Sequence, residues 1–141
     1  QIYEFGDHGG IIVIAEHASS SATDQIWFSR DEGVCWEGPI NLDEAMMIEN
    51  IRVEPDSQSH IFIAHGSKVD ASGKMVTMLV TIDLRHLLRP EEYPDCRPGD
   101  YEYWSPTRTH CLLGMNVTME RRKQGSRCFN GYSYEHRQAG E

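Results

Sequence analysis

Long apolar runs are missing from this chain of 141 residues. No stretch of about eighteen consecutive apolar residues occurs, so nothing in it has the length to cross a bilayer as a helix. No charged-then-apolar leader opens it. It starts in strand-like sequence at Gln1-Ile2-Tyr3, which reads as a cut made inside a larger protein. Positive charge is scarce: 13 Lys and Arg stand against 22 Asp and Glu, for a net charge of −9. Nucleic-acid binders present a basic face, so no nucleic-acid partner is expected. Cysteine is sparse too, with Cys35, Cys96, Cys111 and Cys128 and no Cys-x-x-Cys pair. Structural zinc favours paired ligands at short spacing. These cysteines, even with His110 and His136 as helpers, make a poor zinc site, and no metal or cofactor is expected. A disulfide framework in an oxidising compartment is the better reading. Spacing leaves every pairing open. Asn116-Val117-Thr118 is a glycosylation sequon and agrees with a secretory lumen.

What the chain does have is one ordered pattern in 26–36: Ser29-x-Asp31-x-Gly33-x-x-Trp36. The residues before it are apolar and aromatic, as in a strand. Asp31 can accept from backbone N–H groups two residues on and close an Asx-type turn. Gly33 supplies a positive φ. Trp36 starts the return strand and can fold its ring over the turn. This is the pattern called an Asp box, found in the β-propeller blades of sialidases and sortilin-type receptors. Its role there is structural, so Asp31 reads as a turn staple and not as a catalytic acid.

The length suits about one domain, and strands dominate it. A short strand at 2–5 is followed by the turn Gly6-Asp7-His8-Gly9-Gly10. The β-branched run 11–15 is expected to be buried on both faces. A polar loop covers 16–24, and the return strand runs from Cys35 to about Ile40. These four strands make a unit the size of one propeller blade. A second unit places strands at 48–53, 60–64 and 75–82, and leaves the last through a helical turn over 84–88. Met75 and Met78 read as core filling. After Arg89-Pro90 the sequence turns acidic and proline-rich. The tail has so few apolar runs that it needs cross-links to hold shape. Within it, Asn130-Gly131 reads as a hairpin turn.

Taken together, these motifs resemble those of sortilin and the sortilin-related receptors, the vacuolar-protein-sorting-ten type. The matching stretches are Tyr3-x-Phe5-Gly6-Asp7-His8-Gly9-Gly10-Ile11-Ile12, Phe28-Ser29-x-Asp31-Glu32-Gly33-x-x-Trp36 and Glu54-Pro55. They continue with Asp100-Tyr101-x-x-Trp104-Ser105-Pro106, Cys111-Leu112-Leu113-Gly114, Arg121-Arg122-Lys123 and Cys128-Phe129-Asn130-Gly131. The match is weak at 42–50, 67–74 and 87–94, and departs from the family at Glu91-Glu92-Tyr93-Pro94. The resemblance implies an all-β fold. Residues 1–42, with the Asp box, and 43–89 would be the last two blades of a ten-bladed propeller. Residues 90–141 would be the first of two small cysteine-rich modules, truncated. It also implies a pairing, Cys96 with Cys128, leaving Cys35 and Cys111 to partners outside this chain.

The function that the resemblance implies is a non-enzymatic sorting receptor. Its cargo would be peptides, propeptides or soluble hydrolases, carried from Golgi to endosome or vacuole. This chain would lie on the luminal or extracellular side, against the rest of the propeller and the second cysteine-rich module. A membrane would be met only through a transmembrane segment outside it. No ligand-contact residue is assigned, since the family's best-known peptide site lies in blades absent from this chain. Two rival classes remain. A sialidase would need an arginine cluster, a Tyr nucleophile and an acid. The arginines fall mostly in the tail, and Asp7 and His8 sit in a glycine turn where Asp serves the backbone. A structural or adhesive repeat module is the other. His8, His17, His60 and His65, in or beside strands, are the candidates for pH-dependent behaviour.

Overall fold

A computed structural model describes residues 1–17, 21–106, 114, 116–135 and 137–140. Strand sequence dominates it. Six strands, β1 (Ile2–Gly6), β2 (Ile11–Ala15), β3 (Thr23–Ser29), β4 (Glu37–Arg52), β5 (Ile61–Val69) and β6 (Met75–Asp83), form one antiparallel sheet in chain order. Three more, β7 (Tyr101–Trp104), β8 (Val117–Arg122) and β9 (Gln138–Gly140), form a second antiparallel sheet.

The large sheet curls because β4 serves two partners. Its first part pairs with β3, Ile40 opposite Ile26, and its last part with β5, Ile51 opposite Ala64. Register shifts interrupt both pairings, and such bulges bend a strand. The halves thus face each other across one core. Ile11, Val13, Ile26 and Phe28 come from one half, and Ile48, Ile51, Phe62, Ala64 and Ile82 from the other. The Glu4 carboxylate of β1 lies 3.8 Å from the Arg52 guanidinium at the end of β4. The stretch 42–50, where the resemblance is weak, lies inside β4. That stretch has no clean alternation, yet the strand runs through it because its two ends are anchored to different neighbours.

Burial of β2 also differs from expectation. Ile11, Val13 and Ala15 are buried, but Ile12 and Ile14 only partly so. The outer face of β1–β3 explains this: Tyr3 opposes Ile14, which opposes Trp27, and Tyr3 and Trp27 are both exposed. The turn after β6 is as expected in kind, with the Leu87 and Leu88 N–H groups donating to the Leu84 carbonyl. Asn130-Gly131 does not join two strands. Among the described residues, Phe129 forms an isolated parallel bridge with Asp95 just before it.

Cys96 and Cys128 are joined by a disulfide with a Cα separation of 4.8 Å. Backbone bonds flank it, from Cys96 N–H to the Phe129 carbonyl (2.8 Å) and from Phe129 N–H to the Pro94 carbonyl (2.8 Å). The cross-link closes the segment with little core of its own. That segment leans on the large sheet through Tyr93 and Phe129, which pack against its core.

Candidate functional site

The β1–β2 connection is a three-residue run of positive φ: Asp7 at 48°, His8 at 53° and Gly9 at 90°. Non-glycine residues adopt such values rarely, and where they do the surroundings hold them there. The run turns the Asp7 side chain inward, where it has no solvent exposure at all. Gly10 then leaves the room. A Cβ there would stand 2.6 Å from Asp7 Oδ2, 2.7 Å from Arg122 Nη1 and 2.9 Å from Asn130 Nδ2. The glycine is needed for close approach, not for its φ.

Into this space the cysteine-linked segment sends three side chains. Tyr93 donates its hydroxyl to Asp7 Oδ2 (3.1 Å). Asn130 donates its backbone N–H to Asp7 Oδ1 (2.9 Å), and its side-chain amide to the Asp7 carbonyl (2.8 Å). Arg122, the last residue of β8, is 6% exposed and lies 3.7 Å from Asp7 Oδ2. Its Nη1 donates to the Tyr93 hydroxyl (2.7 Å) and the Cys128 carbonyl (2.6 Å), and its Nη2 to the Gly10 and Arg30 carbonyls (both 2.8 Å). One guanidinium thus holds the β1–β2 turn, the β3–β4 turn and the disulfide in register. A lysine, with a single nitrogen, could not reach four such acceptors.

The electrostatics follow from burial. Loss of water raises the Asp7 carboxyl to about 7, against the Tyr93 hydroxyl, the Arg122 charge and the Asn130 N–H, which all favour the anion. Burial likewise raises the Tyr93 hydroxyl. His60 packs edge-on to Phe129 (4.3 Å between centroids) and near Tyr93 (5.9 Å). Burial there brings its imidazole down to about 4, and its Nε2 has no partner among the described residues.

Beside this joint lies the 29–36 turn. Asp31 Oδ1 accepts from the Cys35 N–H (2.8 Å) and from the Ser29 hydroxyl (3.0 Å). The Ser29 oxygen in turn accepts from the Gly33 N–H (2.9 Å). The N–H on Asp31 therefore comes from four residues on, where the sequence suggested two; the serine takes the nearer donor. Gly33 has φ +83°, and a Cβ on it would touch the Trp36 ring at 3.5 Å. Arg127 reaches Asp31 Oδ2 (3.3 Å) from the other segment. Burial opposes ionisation of Asp31, but the Cys35 N–H, Ser29 and Arg127 hold it below the usual carboxylate range. Every oxygen of Asp7 and Asp31 is thus engaged internally, and neither is presented to a substrate.

Of the other residues singled out in the sequence, Cys35 is an exposed free thiol and Asn116 is exposed at the start of β8. Cys111, His110 and His136 lie outside the described residues. Among the described residues no three His, Cys, Asp or Glu side chains gather as metal ligands would. A concavity of about 720 Å³ lies on the outer face of β2–β3 beside Ile14, Glu16, His17, Gln25, Trp27 and Trp36. Tyr93, Arg122 and His60 carry the joint but were not singled out for it. An aromatic alone in an acidic, proline-rich stretch was the one available signal for Tyr93.

Comparison with known proteins points the same way. Residues 53–141 match the family described as sortilin, neurotensin receptor 3, C-terminal, and residues 1–51 match sortilin, neurotensin receptor 3. Zebrafish (Danio rerio) sortilin is 32% identical over 141 residues, covering 94% of this chain and 17% of that protein. Human (Homo sapiens) sortilin-related receptor is 28% identical over 137 residues, 94% of this chain and 6% of its own length. Vacuolar protein sorting/targeting protein 10 of the fungus Coccidioides posadasii is 32% identical over 145 residues, 95% of this chain and 10% of its own. The chain therefore spans a small part of each relative. The two matched regions run end to end through the joint built on Asp7 and Arg122, and the chain belongs to the sortilin family.

Proposed function

We propose that this chain is a luminal segment of a sortilin-type sorting receptor, which carries peptides, propeptides or soluble hydrolases from Golgi to endosome or vacuole. The observation that carries the reading is the family match over 53–141. Its residues make the cysteine-linked segment and bring Arg122 to the Asp7 turn. In this reading the chain does no chemistry. It ends a propeller and fixes the angle at which the next module leaves it. Residues 1–42 and 43–89 are the last two blades of a ten-bladed ring, and the 29–36 turn is the Asp box of the first. Residues 90–141 open the first cysteine-rich module. The row of exposed Tyr3, half-buried Ile14 and exposed Trp27 supports this, since such a face suits packing against a preceding blade. Cys35 and Cys111 then pair with cysteines elsewhere in the receptor, and cargo binds on other blades.

The test is genetic. Cells lacking the whole receptor should secrete soluble hydrolases that are otherwise retained, and re-expression should restore delivery. Unchanged delivery would contradict the reading, as would turnover of sialosides by the purified protein.

A further inference from the structure

We propose that Asn116 carries an N-linked oligosaccharide. The proposal rests on the luminal reading above, because the transferring enzyme works only there. Three observations bear on it. Asn116-Val117-Thr118 has the required order, with Val and not Pro in the middle. Transfer takes place on a chain that has yet to fold, so the fold must afterwards leave the acceptor outside. It does: Asn116 is exposed and immediately precedes β8, while Thr118 is already within the strand. The Cys96–Cys128 disulfide independently suits an oxidising compartment, where such transfer happens.

In the transfer, the Asn116 side-chain amide nitrogen forms a bond to the anomeric carbon of a lipid-diphosphate-linked oligosaccharide. The bond from that carbon to the diphosphate oxygen breaks. The lipid diphosphate leaves with the electron pair, and the nitrogen gives up one proton. No oxidant or reductant is needed. The strand order keeps the sugar away from the joint. Asn116 lies at the start of β8 and Arg122 at its end, about 20 Å away at the rise of an extended strand. The glycan therefore projects from the cysteine-linked segment without displacing the Asp7 cluster.

The full-length protein, made through a eukaryotic secretory pathway, has its free thiols alkylated and is digested with trypsin, one portion left unreduced to read Cys96 and Cys128 and one reduced to release the Asn116 peptide, which also carries Cys111. The peptide carrying Asn116 and the peptides carrying Cys96 and Cys128 are then identified by mass. The expected result is a glycan mass on the Asn116 peptide, lost on treatment with peptide-N-glycosidase with conversion of the amide to a carboxylate. Asn116→Gln and Thr118→Ala should each abolish it, and Thr118→Ser should keep it. An unmodified Asn116 in molecules whose Cys96 and Cys128 are cross-linked would overturn the glycan proposal and leave the luminal reading standing. An unmodified Asn116 with both cysteines reduced would overturn the luminal reading as well.

Discussion

The guanidinium of Arg122 lies 3.7 Å from the carboxylate of Asp7, and the two residues come from opposite ends of the chain. Both are nearly sealed from water. Removing two charges from water is costly, and their attraction offsets that only when further hydrogen bonds satisfy the rest of each group. Here they do, through three backbone carbonyls, the Tyr93 hydroxyl and the Asn130 N–H. The cluster therefore favours one docking geometry of the cysteine-linked segment over others. Its effect on net stability is small beside its effect on which geometry is adopted.

Asp7 makes that joint dependent on pH. An unfolded Asp titrates near 3.8, and Asp7 in the fold near 7. The folded state binds this proton more tightly. Its contribution is complete below the unfolded value and is lost as pH rises through about 7. Asp7→Asn cannot ionise. The stability of the wild type relative to Asp7→Asn, from urea unfolding, should fall as pH rises from about 4 to about 8. A difference that stays flat would remove this account of Asp7.

His60 works in the opposite sense. Its pKa drops from 6.5 to about 4 in the fold, so its contribution is complete above 6.5 and is lost as pH falls through 4. At neutral pH its buried Nε2 lacks a partner among the described residues, which costs free energy. His60→Phe keeps the ring contacts with Phe129 and Tyr93 and removes the orphan nitrogen. The variant should be more stable at neutral pH by about 1 kcal/mol, and should gain further as the solution is acidified. A lower melting temperature for the variant at both pH values would mean that Nε2 has a partner.

Gly33 tests the 29–36 turn. At φ +83° the backbone suits glycine, and a Cβ would only brush the Trp36 ring. The penalty for Gly33→Val is therefore backbone strain and not collision, about 1–3 kcal/mol. It should appear as a lower midpoint in thermal unfolding of the protein. An unchanged midpoint would mean that the turn tolerates a β-branched residue and is built differently.

Local features of this fold could be read from the sequence, and assembled ones could not. The runs 11–15 and 75–82 announce strands through β-branched content, and the Ser29-to-Trp36 spacing announces a tight turn. The middle of β4 gave no such signal. Leu42-Asp43-Glu44-Ala45-Met46 mixes polarities because that part of the strand bridges two pairings. The joint was hidden for another reason. Asp7 looked like a turn residue, Arg122 part of a basic run, and Asn130 half of an Asn-Gly hairpin. Each local reading was self-sufficient, and only the curl of the sheet brings the three to one point.

The central claim is that Asp7 and Arg122 act together to seat the cysteine-linked segment on the sheet. A double-mutant cycle of Asp7→Asn and Arg122→Met, read by urea unfolding of the protein, tests it most directly. Arg122→Met alone leaves the Tyr93 hydroxyl and the Cys128, Gly10 and Arg30 carbonyls without their buried donor and should cost about 3–5 kcal/mol. The double variant should cost less than the sum of the two single changes, with a coupling of about 1–3 kcal/mol. Costs that add to within about 0.5 kcal/mol would mean the two side chains do not sense each other, and the joint as described would be wrong.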